Sequence, residues 1–236
     1  MSKNAAPAIK EELFDLTGEY EAMLNQGIRL SGESMLFFLE GRLKLLRAKT
    51  LDRSPITRIL DFGCGLGHAS KRLHELFPEA EITGVDTSEK ALDHARECNA
   101  DVRIRFQTVG DLENDRSSYD LCYVNGVFHH IPPPERPGAL ALIYQRLRPA
   151  GALALFENNP WNFGARMVMA RIPFDRDAQM LSPLSAAGLL RKSGFEIART
   201  DSLFFFPRSL KALRSAEPLL GWTRLGAQYL VLGVKQ

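Results

Sequence analysis

Cysteine is scarce: the 236 residues include three, Cys64, Cys98 and Cys122, in separate segments and without CxxC spacing. An odd number so dispersed argues against a disulfide framework or a thiolate zinc site, and reduced thiols in the cytoplasm are the expectation. Long apolar runs are missing, so no integral membrane segment is expected. Lys3 and Lys10 are followed by Glu11, Glu12 and Asp15 with no apolar stretch between, which is unlike a secretory leader. An excess of one charge is also absent, with 30 Lys and Arg against 28 Asp and Glu. The basic residues are spread along the chain, so no nucleic-acid partner is expected. What remains is ordinary globular composition, 45% hydrophobic and 25% charged, and enough chain to bury a core without staples.

Two regimes follow one another along the chain. Residues 1–54 suggest a helical cap or lid: frayed residues 1–9, a helix over 11–30 broken at Gly18 and Gly27, and a longer helix over 35–48 with Leu36, Leu39, Leu43 and Leu46 at helical spacing. From Pro55 short β-type runs alternate with helical ones, the pattern of βαβ units around a parallel sheet. The runs 58–62, 81–85, 102–108, 119–125 and 152–157 are the predicted strands, with helices over 69–77, 88–98, 134–147 and a short piece near Leu112. Pro149-Ala150-Gly151 predicts a turn into the fifth strand. Beyond it lie a loop with one helical turn over 165–171, a helix over 183–192 and two further strands, 195–203 and 228–235. Insertions at about 158–182 and 204–226 interrupt this unit, and residues 55–236 form the expected main domain.

The chemistry gathers at Asp61-Phe62-Gly63-Cys64-Gly65-Leu66-Gly67. Glycines at alternate positions after a strand let the backbone adopt φ > 0 and pass close to a ligand. Asp61, Asp86 and Asp111 fall at or just past the ends of successive predicted strands, which in a parallel sheet share one edge. Asp86 lies roughly twenty residues beyond the glycines, the interval at which a carboxylate reaches a ribose diol. A dinucleotide fingerprint needs a glycine where this chain has His68, and the leading Asp61 would repel a pyrophosphate but attract an amino group. A nucleoside cofactor with a cationic tail fits; a nicotinamide-dependent oxidoreductase is the weaker reading.

Taken in order, Asp61 to Gly67, Gly84-Val85-Asp86-Thr87-Ser88, Gly110-Asp111, Tyr119-Asp120-Leu121 running to His129-His130-Ile131, and Leu147-Arg148-Pro149-Ala150-Gly151 resemble the successive motifs of class I S-adenosylmethionine-dependent methyltransferases. The resemblance spans about residues 55–157, with Ala150 as a departure. It implies a Rossmann-like seven-stranded, mostly parallel sheet with helices on both faces, the last strand antiparallel and an N-terminal helical lid. It implies S-adenosylmethionine as cofactor, with S-adenosylhomocysteine as product. Gly63, Cys64, Gly65 and Gly67 would then follow the methionine part and Asp61 its amino group. Asp86 would hold the ribose, Asp111 the adenine amino group with Thr87 and Leu112 beside the ring, and Asn125 and Gly126 would line the methyl-bearing end.

His129 and His130 then stand near the acceptor, where His130 fits a general base, although loop packing accounts for either histidine as well. Tyr20, Glu157, Asn158, Trp161 and Phe205 are the expected acceptor contacts, the last from the run Phe204-Phe205-Phe206-Pro207. No metal ion is expected, because Glu157 has no second paired carboxylate set in the sequence. The expected acceptor is a small or lipid-like molecule and the expected assembly a monomer or homodimer. A noncatalytic cofactor-binding domain and a protein or nucleic-acid methyltransferase are the competing classes; no Asn-Pro-Pro-Tyr-type base-flipping motif favours the last.

Overall fold

Seven strands, β1 Arg58–Phe62, β2 Glu81–Asp86, β3 Ile104–Thr108, β4 Tyr119–Asn125, β5 Leu147–Asn158, β6 Phe195–Leu203 and β7 Gln228–Lys235, join in the order β3-β2-β1-β4-β5-β7-β6. They are seen in a computed structural model that describes residues 17–50, 55–100, 103–175 and 178–236, with side chains from residue 23 onward except Phe174. The expected fraying of 1–9, the proposed boundary at residue 54 and the predicted strand start at Val102 lie outside the described residues. β7 runs antiparallel to both β5 and β6, and the other pairings are parallel. The last strand in sequence is therefore an inner strand, not an edge.

Period-two alternation sends neighbouring residues to opposite faces, and each face has its own core. On one face Leu60, Phe62, Cys122, Val124, Leu153 and Leu155 pack with Leu140, Ile143 and Leu190. Those helical residues belong to α6 Arg136–Arg146 and α8 Pro183–Lys192. On the other face Ile59, Leu121, Tyr123, Ala154 and Phe156 meet Leu39, Leu43, Leu46 and Leu73. These come from α2 Met35–Thr50 and α3 His68–Leu76. Central strands buried on both sides explain why β4 reads as an almost unbroken apolar run. Each buried Leu, Ile or Phe contributes about 1.5–3 kcal/mol. The remaining helices are α1 Thr17–Ile28, α4 Glu89–Cys98, α5 Val109–Asn114, α7 Phe163–Met169 and α9 Glu217–Leu220.

α1 is described from Thr17 to Ile28, with Gly18 in its first described turn and Gly27 its penultimate residue, just before the 3-10 turn Arg29–Ser31. At Gly27 a Cβ would stand 2.2 Å from Cγ1 of Ile172, so that glycine also serves a close approach between segments. One local expectation needs correction. The turn placed at Pro149-Ala150-Gly151 lies inside β5, which starts at Leu147 and pairs with Tyr119 before a register shift. Ala150 takes φ +62°, so the residues form a bulge that β4 keeps paired on either side.

Candidate functional site

Strand order reverses between β1 and β4, and the carboxyl ends there open a crevice suited to ligands. The turn after β1 is pinned from below: the N–H groups of Gly63 and Cys64 both donate to the carbonyl of Val85, at 2.8 and 2.9 Å. Gly65 takes φ +51°, and a Cβ built on it would meet nothing within 4 Å. Space thus lies above the backbone where a ligand's methionine chain would pass. Asp86 holds the turn from the side, its Oδ2 accepting from Gly65 N–H at 2.8 Å and its Oδ1 from Ser88 N–H at 3.1 Å.

Asp61 is 2% exposed and accepts from Ser70 Oγ at 2.6 Å. Burial pushes its carboxyl up to about 7, against the pull of the Ser70 hydroxyl and with a smaller push from Asp86. This buried acid lies just before the open glycine turn. Cys64 is buried with a thiol pushed up by burial and by Asp61 and Asp86, which makes it packing and not a nucleophile.

The adenine side departs from expectation in one respect. Leu112 is fully buried in the core, so its side chain is not free to lie beside a ring. Asp111 and Thr87 are exposed. The Asp111 carboxylate closes a capping box at the start of α5, accepting from Thr108 N–H at 3.1 Å and Thr108 Oγ1 at 2.7 Å. Those bonds hold its carboxyl below the usual range, and it presents its outer face to solvent.

Past Asn125 and Gly126, at the end of β4, a cavity of about 600 Å³ begins. Its walls are mostly apolar, with Met35, Phe37, Phe38, Met167, Val168 and Phe205 among them. Asn158 lines it as expected. Glu157 does not, being 2% exposed with its oxygens taken by Phe128 N–H at 2.8 Å and His129 Nδ1 at 2.6 Å. The expectation that Glu157 touches an acceptor is therefore corrected: it orients His129. Trp161 is 49% exposed and lies off the cavity wall, and the side chain of Tyr20 lies outside the described residues.

His129 is buried between two acids, with Nε2 3.3 Å from Asp175 Oδ1, and the same oxygen lies 3.2 Å from His130 Nε2. Burial lowers the affinity of His129 for its second proton, but Glu157 and Asp175 outweigh that and push it up to about 10. His129 is thus an imidazolium at neutral pH. His130 moves the other way, lowered by burial and by the charge on His129, and is the neutral imidazole of the pair. Asp175 ends the 3-10 turn Pro173–Asp175, in a stretch with no sequence periodicity to mark it. The side-chain atoms of His129, His130 and Asp175 lie within 4.8 Å of one another, a spacing the sequence did not reveal; here hydrogen bonds close the cluster.

Arg42 was also missed. It is 6% exposed, lines the cavity, and bonds two neutral partners, Tyr123 Oη at 3.2 Å and Gln228 Oε1 at 3.0 Å, with no ion pair among the described residues. A buried guanidinium without a counter-charge is costly, and points to an anionic group supplied by a ligand. A charged residue on the stripe Leu39, Leu43, Leu46 was the signal in the sequence.

Residues 59–151 match the family model described as a methyltransferase domain. The trans-aconitate 2-methyltransferase of Deinococcus radiodurans is 34% identical over 101 residues, covering 43% of this chain and 38% of that protein. A malonyl-[acyl-carrier protein] O-methyltransferase of Anoxybacillus flavithermus is 32% identical over 84 residues, 35% of this chain and 32% of the relative. The chain thus spans only about a third to two fifths of the length of these curated relatives. Magnesium protoporphyrin IX methyltransferase from Synechocystis PCC 6803, solved with bound S-adenosylhomocysteine, shares the fold at TM-score 0.66 and 19% identity, covering 97% of this chain and 99% of that one. The family match runs from β1 into β5, and the likeness in fold to a solved methyltransferase extends over nearly the whole chain.

Proposed function

We propose that the chain transfers a methyl group to a small or lipid-like acceptor bound in the cavity beside Asn125 and Gly126. The observation that carries this is the cavity itself: about 600 Å³, apolar-walled, and continuous with the end of β4. Its volume falls in the range that takes one small organic molecule, and an apolar wall with few polar groups is the usual form of such a site. When bound, S-adenosylmethionine supplies an electrophilic methyl on its sulfonium. Gly63, Gly65 and Gly67 would shape the bed for it, Asp61 would hold its ammonium, Asp86 its ribose hydroxyls, Asp111 its adenine and Arg42 its carboxylate.

The chain's contribution to the reaction is positioning and exclusion of water. α1 and the start of α2 wall the cavity, with Leu24, Ile28 and Met35 turned to it, and act as the lid. His130 takes a proton from an acceptor hydroxyl or amine; it lines the cavity as the neutral imidazole. His129, fixed as imidazolium by Glu157 and Asp175, does not serve as base but sets the position of its neighbour. The test is transfer of labelled methyl from S-adenosylmethionine in the presence of a fractionated cell extract. Label is expected in an organic-extractable small molecule; label confined to protein or nucleic acid would overturn the reading.

A further inference from the structure

The segments around the cavity mouth carry an unusual display of exposed apolar side chains. Trp222 is 79% exposed, Leu219 75%, Phe163 74%, Leu225 61%, Leu30 52% and Trp161 49%. These residues are neighbours through the backbone. Asn162 Nδ2 donates to the Leu225 carbonyl and Asn159 Nδ2 to the Arg224 carbonyl, which joins the Trp161–Phe163 corner to the segment holding Trp222. On the other side Arg208 donates to the Gly32 carbonyl and Arg214 pairs with Glu33 at 2.9 Å, which joins the same segment to Leu30. Leu30, Asn162, Gly164 and Pro207 line the cavity, so the segments that carry these apolar residues border it.

Cations are interleaved with them. Arg166, Arg171, Arg208, Lys211 and Arg224 are exposed, and none forms an ion pair among the described residues. Glu217, the one acid between residues 204 and 226, is turned inward to the N–H groups of Phe205 and Phe206, at 3.1 and 3.0 Å. The 3-10 segment Arg208–Ala216, kinked at Leu210, exposes Leu210 and Leu213 alongside Arg208 and Lys211. Tryptophan, leucine and phenylalanine next to unpaired Arg and Lys is the chemistry of the interface between acyl chains and anionic headgroups. No helix among the described residues is long and apolar enough to cross a membrane, so such contact would be peripheral.

We propose that this face docks on an anionic phospholipid surface and presents the cavity mouth to the bilayer. The acceptor then enters from the membrane, which deepens the reading of the cavity given above, while docking itself needs no turnover. Both tryptophans of the chain, Trp161 and Trp222, lie in the patch, so intrinsic fluorescence reports on it directly.

The experiment mixes the full chain with phosphatidylcholine vesicles containing or lacking 30% phosphatidylglycerol. A blue shift of tryptophan emission and co-sedimentation are expected with the anionic vesicles, weakening severalfold or more as salt is raised. The double variant Leu219→Ser with Trp222→Ser should lose at least tenfold in partition while binding S-adenosylhomocysteine as before. Lys211→Glu with Arg224→Glu should lose the preference for anionic vesicles. No binding to either vesicle, or equal binding by all variants, would overturn the proposal, as would a dimer dissociated by the Leu219 and Trp222 changes in a protein that ignores vesicles. Vesicle binding without methyl transfer would sustain the docking and count against the acceptor reading alone.

Discussion

If Asp61 holds the cofactor's ammonium as proposed, cofactor affinity becomes a function of pH in a window set by its titration. In the free protein burial holds its carboxyl at about 7 instead of 3.8. A raised carboxyl pKa means that the folded state keeps the proton, so ionising it costs stability progressively as pH rises from 3.8 towards 7, about 4 kcal/mol in all at 1.36 kcal/mol per pH unit. An ammonium placed beside it offsets that cost and needs the ionised form. If only ionised Asp61 binds, affinity scales as the ionised fraction, and between pH 5.5 and 7.5 it should rise about 25-fold. Near pH 6 binding should release about 0.9 proton, read by calorimetry with S-adenosylhomocysteine in buffers of different ionisation enthalpy. Asp61→Asn should bind weakly and lose the slope. A flat profile in the natural protein, or the same slope in the Asn variant, would refute the reasoning.

Other consequences follow from the same geometry. Gly65→Ala, whose added Cβ meets nothing within 4 Å, should cost only about 1 kcal/mol of stability for its left-handed φ yet weaken S-adenosylhomocysteine binding sharply; Gly63→Ala, with Val127 Cγ2 2.3 Å from the new Cβ, should unfold more easily. Thermal melts beside calorimetry separate the two. Asp86→Asn should cost at least tenfold in cofactor affinity, since it weakens both the proposed ribose contact and the bond to Gly65 N–H. His129→Gln leaves Glu157 and Asp175 buried without their imidazolium and should cost about 3–5 kcal/mol, roughly 10 °C in melting temperature. Because the His129 pKa is raised, its stabilisation is full below pH 6.5 and lost as pH rises through about 10, a decline the Gln variant should not show.

The fold was legible wherever one local rule decided the outcome. β1, β4, β6, β7 and α8 begin and end where alternation, apolar runs and caps put them, and Ser88 caps α4 through the amide of Ala91. Legibility failed where a distant partner decided. Position 27 needs glycine because Ile172 packs against its backbone, and residues 149–151 stay in β5 because β4 pairs around the bulge. The same division holds at the site. The glycine turn and the three acids stand out in sequence because their spacing is local. Asp175 acquires meaning only when its segment folds back on His129 and His130, Glu157 turns inward once Phe128 offers its N–H, and Arg42 matters because no acid among the described residues meets it.

The central claim is that the cofactor turn and the apolar cavity share one point, the end of β4. A crystal structure with S-adenosylhomocysteine tests it most directly. The account predicts the sulfur beside Asn125 and Gly126, facing the cavity, with the ribose on Asp86. A sulfur turned to bulk solvent, or separated from the cavity by the side chains that line it, would contradict it.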